Sequence, residues 1–250
     1  MVDIHSHIIN EIDDGSKSIE MTINMLKKAE ESGTTDIIAT PHFMRGRFEV
    51  EYKEVIEKVE ELKKIVKENN IDIKIYVGQE VYYSKNLLEY YNDKIIGTIN
   101  NTKYMLIELP MLDFDIDEVI NTIYELQIRG IVPIIAHPER YKSFIKKPSM
   151  INALINEGML FQMNAGSIAG DFGKDVKKTA AKYLEHNVYN FIGSDAHRDR
   201  GRDTDMSEAL NILERHQRKA FINNGKAVIE NKDVEFKGTA VKEKKFLGIF

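Results

Sequence analysis

Seven short apolar runs rich in β-branched residues recur along the chain, with helical stretches between them, and this rhythm constrains the fold more than any other feature. The runs are Val2 to His5, Asp36 to Thr40, Ile73 to Gly78, Tyr104 to Glu108, Ile131 to Ala136, Met159 to Met163 and Asn190 to Gly193. Between them, Ile19, Ile23 and Leu26 mark one helix. Val55, Ile56, Val59, Leu62 and Val66 mark a second, and Ile116, Val119, Ile120 and Ile123 a third, all at helical spacing. Gly33 and Gly130 stand where helices are expected to stop. Strand and helix in alternation imply a parallel sheet. With no linker or break in composition across 250 residues, the economical closure is one α/β barrel domain over 1–250, with an open doubly wound sheet as the alternative.

What the chain lacks narrows its chemistry. It has no cysteine, which removes disulfides, thiolate metal sites and thiol nucleophiles. Any metal must therefore rest on His, Asp and Glu, donors that suit Mn, Fe or Zn and disfavour Mg where imidazoles are numerous. A net charge of -5 disfavours a nucleic-acid binder relying on bulk positive charge. No apolar run approaches the roughly 20 residues of a membrane span, and the acidic, His-containing start does not read as a signal peptide. The expected location is the cytoplasm.

Nearly every run is followed within a few residues by a side chain able to bind metal. The first gives His5 and His7, with Asp13 and Asp14 close behind, and the second gives His42. The third ends at Glu80, the fourth at Glu108, the fifth at His137, and the seventh at Asp195 and His197. In a βα barrel these strand ends converge on one face, where enzymes of this architecture keep their chemistry. Residues two apart on a strand point to the same side, so His5 with His7, and Asp195 with His197, can both face inward. A lone His-x-His is a weak signal, and any single imidazole is more often a hydrogen-bonded core or surface group. Five of the seven histidines at strand ends reverse that judgement, whereas His186 and His216, in helical segments, keep the ordinary reading. So many donors exceed what one tetrahedral ion needs, which points to two or three ions with a carboxylate such as Glu80 bridging. Asp13 and Asp14 compete for one role, and Asp13-Asp14-Gly15 also reads as a turn.

Adjacent metals bring the pKa of bound water from 15.7 to about 7, which makes hydrolysis the natural reaction. Two arginines, Arg140 behind His137 and Arg202 behind His197, offer the planar fork that matches phosphate oxygens. The competing account is ion pairing with Glu139 or Asp203, and for Arg202, inside the charged run Arg198 to Asp205, the two are even. Three other motifs carry no function. Asp115 to Val119 resembles an aspartyl-phosphatase motif but reads better as a helix cap. Gly166 to Lys174 lacks the spacing of a phosphate-binding loop, and Asp171-Phe172-Gly173 lacks its companion kinase motifs. Both are expected to be loop followed by helix. Lys242 to Phe250 reads as a packed or frayed tail, with contact to a partner as the alternative.

With these residues in place, the chain resembles the polymerase-and-histidinol-phosphatase (PHP) superfamily, which implies a distorted seven-stranded (β/α)7 PHP barrel. Asp3-Ile4-His5-Ser6-His7, Ile12-Asp13-Asp14-Gly15, Gly78-Gln79-Glu80-Val81-Tyr82-Tyr83, Ile107-Glu108, Ala136-His137-Pro138-Glu139-Arg140-Tyr141 and Ser194-Asp195-Ala196-His197 look, more narrowly, like the bacterial tyrosine phosphatases of capsule and exopolysaccharide synthesis. That resemblance implies metal ligation by His5, His7, Asp14, His42, Glu80, Glu108, His137, Asp195 and His197, with Mn favoured and up to three ions. It implies phosphate binding by Arg140 and Arg202, and as substrate the phosphotyrosine tail of a bacterial tyrosine kinase that regulates polysaccharide assembly. The implied step is in-line attack on phosphorus by a metal-bound hydroxide, without a covalent enzyme intermediate. The nearest alternative is a histidinol-phosphate or other small phosphoester phosphatase on the same scaffold. A non-catalytic metal-binding module that docks on a kinase or polymerase is the remote one.

Overall fold

Each of the seven runs forms strand in the computed structural model, which describes residues 1–243. The strand segments are β1 Val2–Ser6, β2 Asp36–Ala39, β3 His42–Met44, β4 Phe48–Glu49, β5 Lys74–Val77, β6 Glu80–Tyr82, β7 Tyr104–Glu108, β8 Val132–Ala136, β9 Leu160–Asn164 and β10 Phe191–Gly193. They form a three-stranded sheet, β1-β2-β5, and a seven-stranded sheet, β10-β9-β8-β7-β6-β3-β4. All pairings are parallel except that of β3 with β4.

Two of the expected strands are each broken in two. β2 passes into β3 across Thr40-Pro41, and β5 into β6 across Gly78-Gln79. Pro41 has no N–H to give a ladder. At Gly78 a Cβ would stand 2.9 Å from Ile38 Cγ2, so only glycine lets the two kinked chains run this close. Because β2 pairs with β5 and β3 with β6, the broken strands stay side by side and join the two sheets. The other seam closes through a parallel bridge between Ser6 and Ala196, with Asp195 N–H donating to His5 O at 2.7 Å and His7 N–H to Ala196 O at 2.9 Å. The ring therefore has seven members in the expected order, distorted at both joins. The β3–β4 hairpin is an addition that the apolar pattern does not announce.

Inside the ring, Val2, Ile4, Ile38, Tyr104, Leu106, Ile134, Ala136, Leu160 and Phe191 form one buried cluster, a packed floor beneath the strand ends. Outside it, helices Ile19–Glu31 and Tyr52–Glu68 cover β2 and β5 through Met25, Leu26, Val55, Val59 and Leu62. Gly33 and Gly130 take left-handed φ of 87° and 82° directly after their helices, as expected of stop residues. Among the described residues no helix is long and apolar enough to cross a membrane.

β1 departs from simple alternation. Its register against β2 shifts between Asp3 and Ser6, the mark of a β-bulge. Val2 and Ile4 already face the barrel interior, so strict alternation would send His5 outward. The extra residue re-aims it. Asp3 secures the bend, its Oδ1 accepting from His5 N–H at 3.2 Å and from Ser194 N–H at 2.9 Å.

At the chain's far end, Lys242 N–H donates to His186 Nε2 at 3.2 Å and Glu243 pairs with Lys182 at 3.1 Å. The rest of the stretch Lys242 to Phe250, from 244 on, lies outside the described residues.

Candidate metal centre

The strand ends, with the turn that follows His7, bring all nine candidate donors together above the apolar floor. His5, His7, Glu80 and Asp195 form one group whose donor atoms lie within 4.8 Å of one another. His7, Asp14, His42 and His197 form a second, and His42, Glu80 and Glu108 a third. His137 joins the third, with Nε2 3.0 Å from Glu80 Oε1 and 3.6 Å from Glu108 Oε1. Apart from Asp14, every one of these residues is buried.

Three imidazoles are held by their Nδ1 edge. That of His5 meets Gln162 Oε1 at 3.0 Å, that of His7 meets Asp13 Oδ2 at 2.7 Å, and that of His197 meets the backbone O of Asp195 at 3.0 Å. Each hydrogen bond fixes a tautomer and leaves Nε2 free, the usual arrangement behind a metal ligand. The competition between Asp13 and Asp14 is resolved by position. Buried Asp13 accepts from His7 and from the N–H groups of His42 (2.9 Å) and Gly15 (2.8 Å). Asp14 instead stands at the mouth, with Oδ1 3.5 Å from His42 Nε2 and 3.3 Å from His197 Nε2.

Glu80 sits at the centre. Its Oε2 lies 3.1 Å from His5 Nε2, 3.2 Å from His7 Nε2 and 3.0 Å from His42 Nδ1. Glu80 Oε2, Asp195 Oδ1, Asp14 Oδ1 and His42 Nδ1 are nevertheless buried with no hydrogen-bond partner. Close approach without hydrogen-bond geometry is what atoms aimed at a common point show. A buried carboxylate oxygen left so is costly, and a cation at that point would satisfy it. The donor set fits a metal.

The electrostatics follow. Burial resists charge on Glu80, but His5 and His42 outweigh it and hold its pKa well below the usual range. Glu108 goes the other way: burial, then the charge on Glu80, push it up to about 8. Burial, then Arg140, bring His137 down to about 4, and burial, then His7, do the same for His197. Two site residues also hold backbone conformations uncommon for their type, His137 with φ 30° and Asp195 with φ 52°. Such outliers persist only where the surroundings impose them, and they gather at functional sites.

Both arginines reach the same carboxylate. Arg140 Nη1 lies 2.7 Å from Asp195 Oδ2, and Arg202 Nη2 contacts the same oxygen. Neither of the expected competitors is used: Glu139 accepts from Asn164 N–H and Tyr189 O–H, and Asp203 pairs with Lys28 at 2.6 Å. Phe172 lies under both guanidinium groups, its ring centroid 4.4 Å from Arg140 Cζ and 5.8 Å from Arg202 Cζ. Asp195 therefore faces two ways, Oδ1 toward His5 and His7 and Oδ2 toward the arginines.

The motifs set aside behave as structural elements. Asp115 caps its helix by accepting from the N–H groups of Asp117 and Glu118, and Lys174–Glu185 is a helix after a loop. Exposed His216 pairs only with its neighbour Glu214 among the described residues. Four residues of the site were not singled out as such from sequence: Gln162, Asn164, Phe172 and Asp13 in its orienting role. Asn164 donates to Asp195 Oδ2 at 2.6 Å. It ends the one strand that offered no ligand, and that gap is the signal that could have found it. Phe172 carries no such signal, since its loop meets the arginines only in the fold.

A protein-family model described as capsular polysaccharide synthesis, CpsB/CapC, matches residues 1–232. CapC of Staphylococcus aureus is 36% identical over 256 residues, covering the whole of both chains. Among solved structures, that of YwqE from Bacillus subtilis and CpsB from Streptococcus pneumoniae, described as unique metal-dependent tyrosine phosphatases, superposes with a TM-score of 0.92. The identity is 31%, over 97% of this chain and 100% of the other. Histidinol phosphate phosphatase from Lactococcus lactis, with a TM-score of 0.54 and 15% identity over 88% of this chain and 93% of its own, shares the fold alone.

Proposed function

The chain belongs to the CpsB/CapC capsular polysaccharide synthesis family, and on that premise we propose that it is a metal-dependent protein-tyrosine phosphatase. The substrate is the phosphotyrosine tail of a bacterial tyrosine kinase that regulates capsule or exopolysaccharide assembly in the cytoplasm, and 1–250 act as one catalytic domain. The observation that carries this is that one carboxylate, Asp195, turns Oδ1 to the multi-metal donor set and Oδ2 to both arginines.

The nine donors divide by geometry. His7 spends Nδ1 on Asp13, so its Nε2 serves a set with His5, Asp195 and Glu80 Oε2. Glu80 Oε1, Glu108 and His137 make a second set, and Asp14, His42 and His197 a third. Glu80 links the first two. These sets would hold two or three ions; nitrogen and oxygen donors without sulfur suit Mn, Fe or Zn, and Mn is the ion that the family resemblance favours. When bound, the metals supply Lewis acidity, activating water at neutral pH and neutralising phosphate charge.

The chain's own side chains do the rest. Arg140 and Arg202, held by Asp195 and Phe172, present fixed N–H donors to the phosphate oxygens, so the charge that develops in the transition state meets donors already in place. Asp14, held ionised chiefly by His197 beside it at 3.3 Å, has no proton to give a leaving group. A tyrosine leaving group, with a pKa near 10, departs as phenolate with less need of one than an alkoxide has. Aryl phosphates are therefore the favoured class.

Turnover of a phosphotyrosine peptide, a phosphoserine peptide and histidinol phosphate should be compared with added Mn and again after chelation. The phosphotyrosine peptide is expected to be hydrolysed fastest, and only with metal. Activity confined to histidinol phosphate would overturn the substrate, and activity indifferent to chelation would overturn the metal dependence.

A further inference from the structure

The charged run that follows His197 is sorted by the fold into two faces. Its carboxylates are all engaged: Asp199 accepts from Asn24 Nδ2 at 3.0 Å, Asp203 from Lys28 Nζ at 2.6 Å, and Asp205 from Ser207 N–H at 2.8 Å. Asn24 and Lys28 lie four apart on helix Ile19–Glu31, hence on one face, and clamp one side of the loop. The loop is also closed on itself, with the N–H groups of His197 and Arg198 donating to Arg202 O at 2.9 and 3.1 Å around Gly201, whose φ is 80°. Arg198 and Arg200 are left exposed on a fixed frame, with no ion pair among the described residues. They line a cleft of about 430 Å³ whose other walls are Asp14, His197, Gly201 and Arg202. Three of those walls, Asp14, His197 and Arg202, also bound the metal cleft of about 640 Å³.

We propose that Arg198 and Arg200 form an anion subsite beside the phosphate pocket, which selects phosphotyrosine peptides carrying an acidic side chain next to the reacting tyrosine. The proposal rests on the phosphotyrosine-peptide reading above and deepens it. Guanidinium groups match carboxylate oxygens in a planar fork, and among the described residues neither of these two is paired with a carboxylate that a ligand must displace. An extended peptide advances roughly 3.3 Å per residue, so a neighbouring side chain spans two clefts that share a wall. Because the loop is fastened before substrate arrives, little ordering is required on binding.

The test compares kcat/KM of the Mn-loaded enzyme for three phosphotyrosine peptides that differ only in having Glu, Gln or Lys on both sides of the tyrosine. The Glu peptide is expected to lead the Gln peptide by about fivefold, the size that two exposed ion pairs support. The Lys peptide should trail both, and the spread should shrink at high salt. In Arg198→Gln/Arg200→Gln the Glu-to-Gln ratio should fall toward 1, a readout independent of how much enzyme is active. A wild-type ratio of 1, or a ratio that persists in the double variant, overturns the subsite. Should the double variant be inactive, the salt dependence of the wild-type ratio decides, and a ratio unmoved by salt counts against the proposal. Failure to hydrolyse any of the three peptides would instead sink the phosphotyrosine reading itself.

Discussion

Asp13 holds His7 from behind: the carboxylate Oδ2 accepts the imidazole Nδ1–H at 2.7 Å, while the adjacent Asp14 faces the opposite way, into the cleft. Of two neighbouring aspartates, one orients a donor and the other is itself a donor. Asp13→Asn is expected to weaken metal binding by about 10–100-fold, the range seen when such supporting groups are lost. Excess Mn should restore most of its turnover. Asp14→Ala should resist such rescue, because it removes a donor outright. Metal titration of both variants, read by calorimetry and by activity, checks the difference. Equal rescue would show that the two carboxylates share one role.

Metal binding should release protons. Without metal, burial and Glu80 keep Glu108 at about 8, so it holds a proton at neutral pH. His5 and His42 sit above their ordinary range: burial opposes their charge, but Glu80 in both cases, with Asp195 beside His5, overcomes it. His7 lies higher still, burial being outweighed by Asp13. His137 and His197, at about 4, are already neutral and contribute nothing. Groups protonated in the free protein and deprotonated in the loaded one make affinity rise with pH. The apparent Mn affinity is expected to climb as pH rises through 7 toward and past about 8. Calorimetry in buffers of differing ionisation enthalpy measures the protons released, and a value of zero would contradict this account.

The guanidinium forks should matter more than their charge. Arg140→Lys keeps a cation but loses the fork, and removing one such preorganised donor costs about 10²–10³ in kcat. Metal content should be unaltered. Phe172→Ala, which removes the ring beneath Arg140, is expected to cost far less, about 3–10-fold, in keeping with a partly exposed cation–π contact. Steady-state kinetics on one aryl phosphate, alongside metal analysis, separates the two. An Arg140→Lys enzyme with wild-type kcat would remove Arg140 from the phosphate site.

Gly193, the last residue of β10, allows the barrel seam to close. A Cβ there would stand 2.6 Å from His5 Cβ and 3.1 Å from His5 N, so neither strand could keep its place. Gly193→Ala is expected to cost about 1–3 kcal/mol of stability, as overpacking does, and to weaken metal binding by displacing His5. Denaturant melts with and without Mn test it, and unchanged stability would mean that the seam has more slack than these distances allow.

Much of the site was legible because strand ends in a βα barrel converge, so that listing the donor after each apolar run nearly lists the cleft. His5, His42, Glu80, Glu108, His137, Asp195 and His197 all follow that rule. Asp13 and Asp14 do not, since both lie in a turn after His7 and nothing local distinguishes them. Gln162 and Asn164 were passed over because amides neither titrate nor commonly bind metal, and their value here is as hydrogen-bond partners of His5 and Asp195. Phe172 was invisible because its contact with Arg140 spans distant parts of the sequence.

Sequence by itself determined the alternation of strand and helix, the seven strand runs and the absence of thiol chemistry, because apolar period and residue type act locally along the chain; closure of those runs into a ring needed the structure. Tertiary structure alone decided which atoms face which. The bulge in β1 turned His5 inward where alternation would have turned it out, and Asp195, with φ at 52°, came to serve the imidazoles and the arginines with one carboxylate. Helix Ile19–Glu31 took up Asp199 and Asp203 and left Arg198 and Arg200 facing solvent. Each of these outcomes rests on contacts between residues far apart in sequence, and a direction in space is fixed only when both partners are in place.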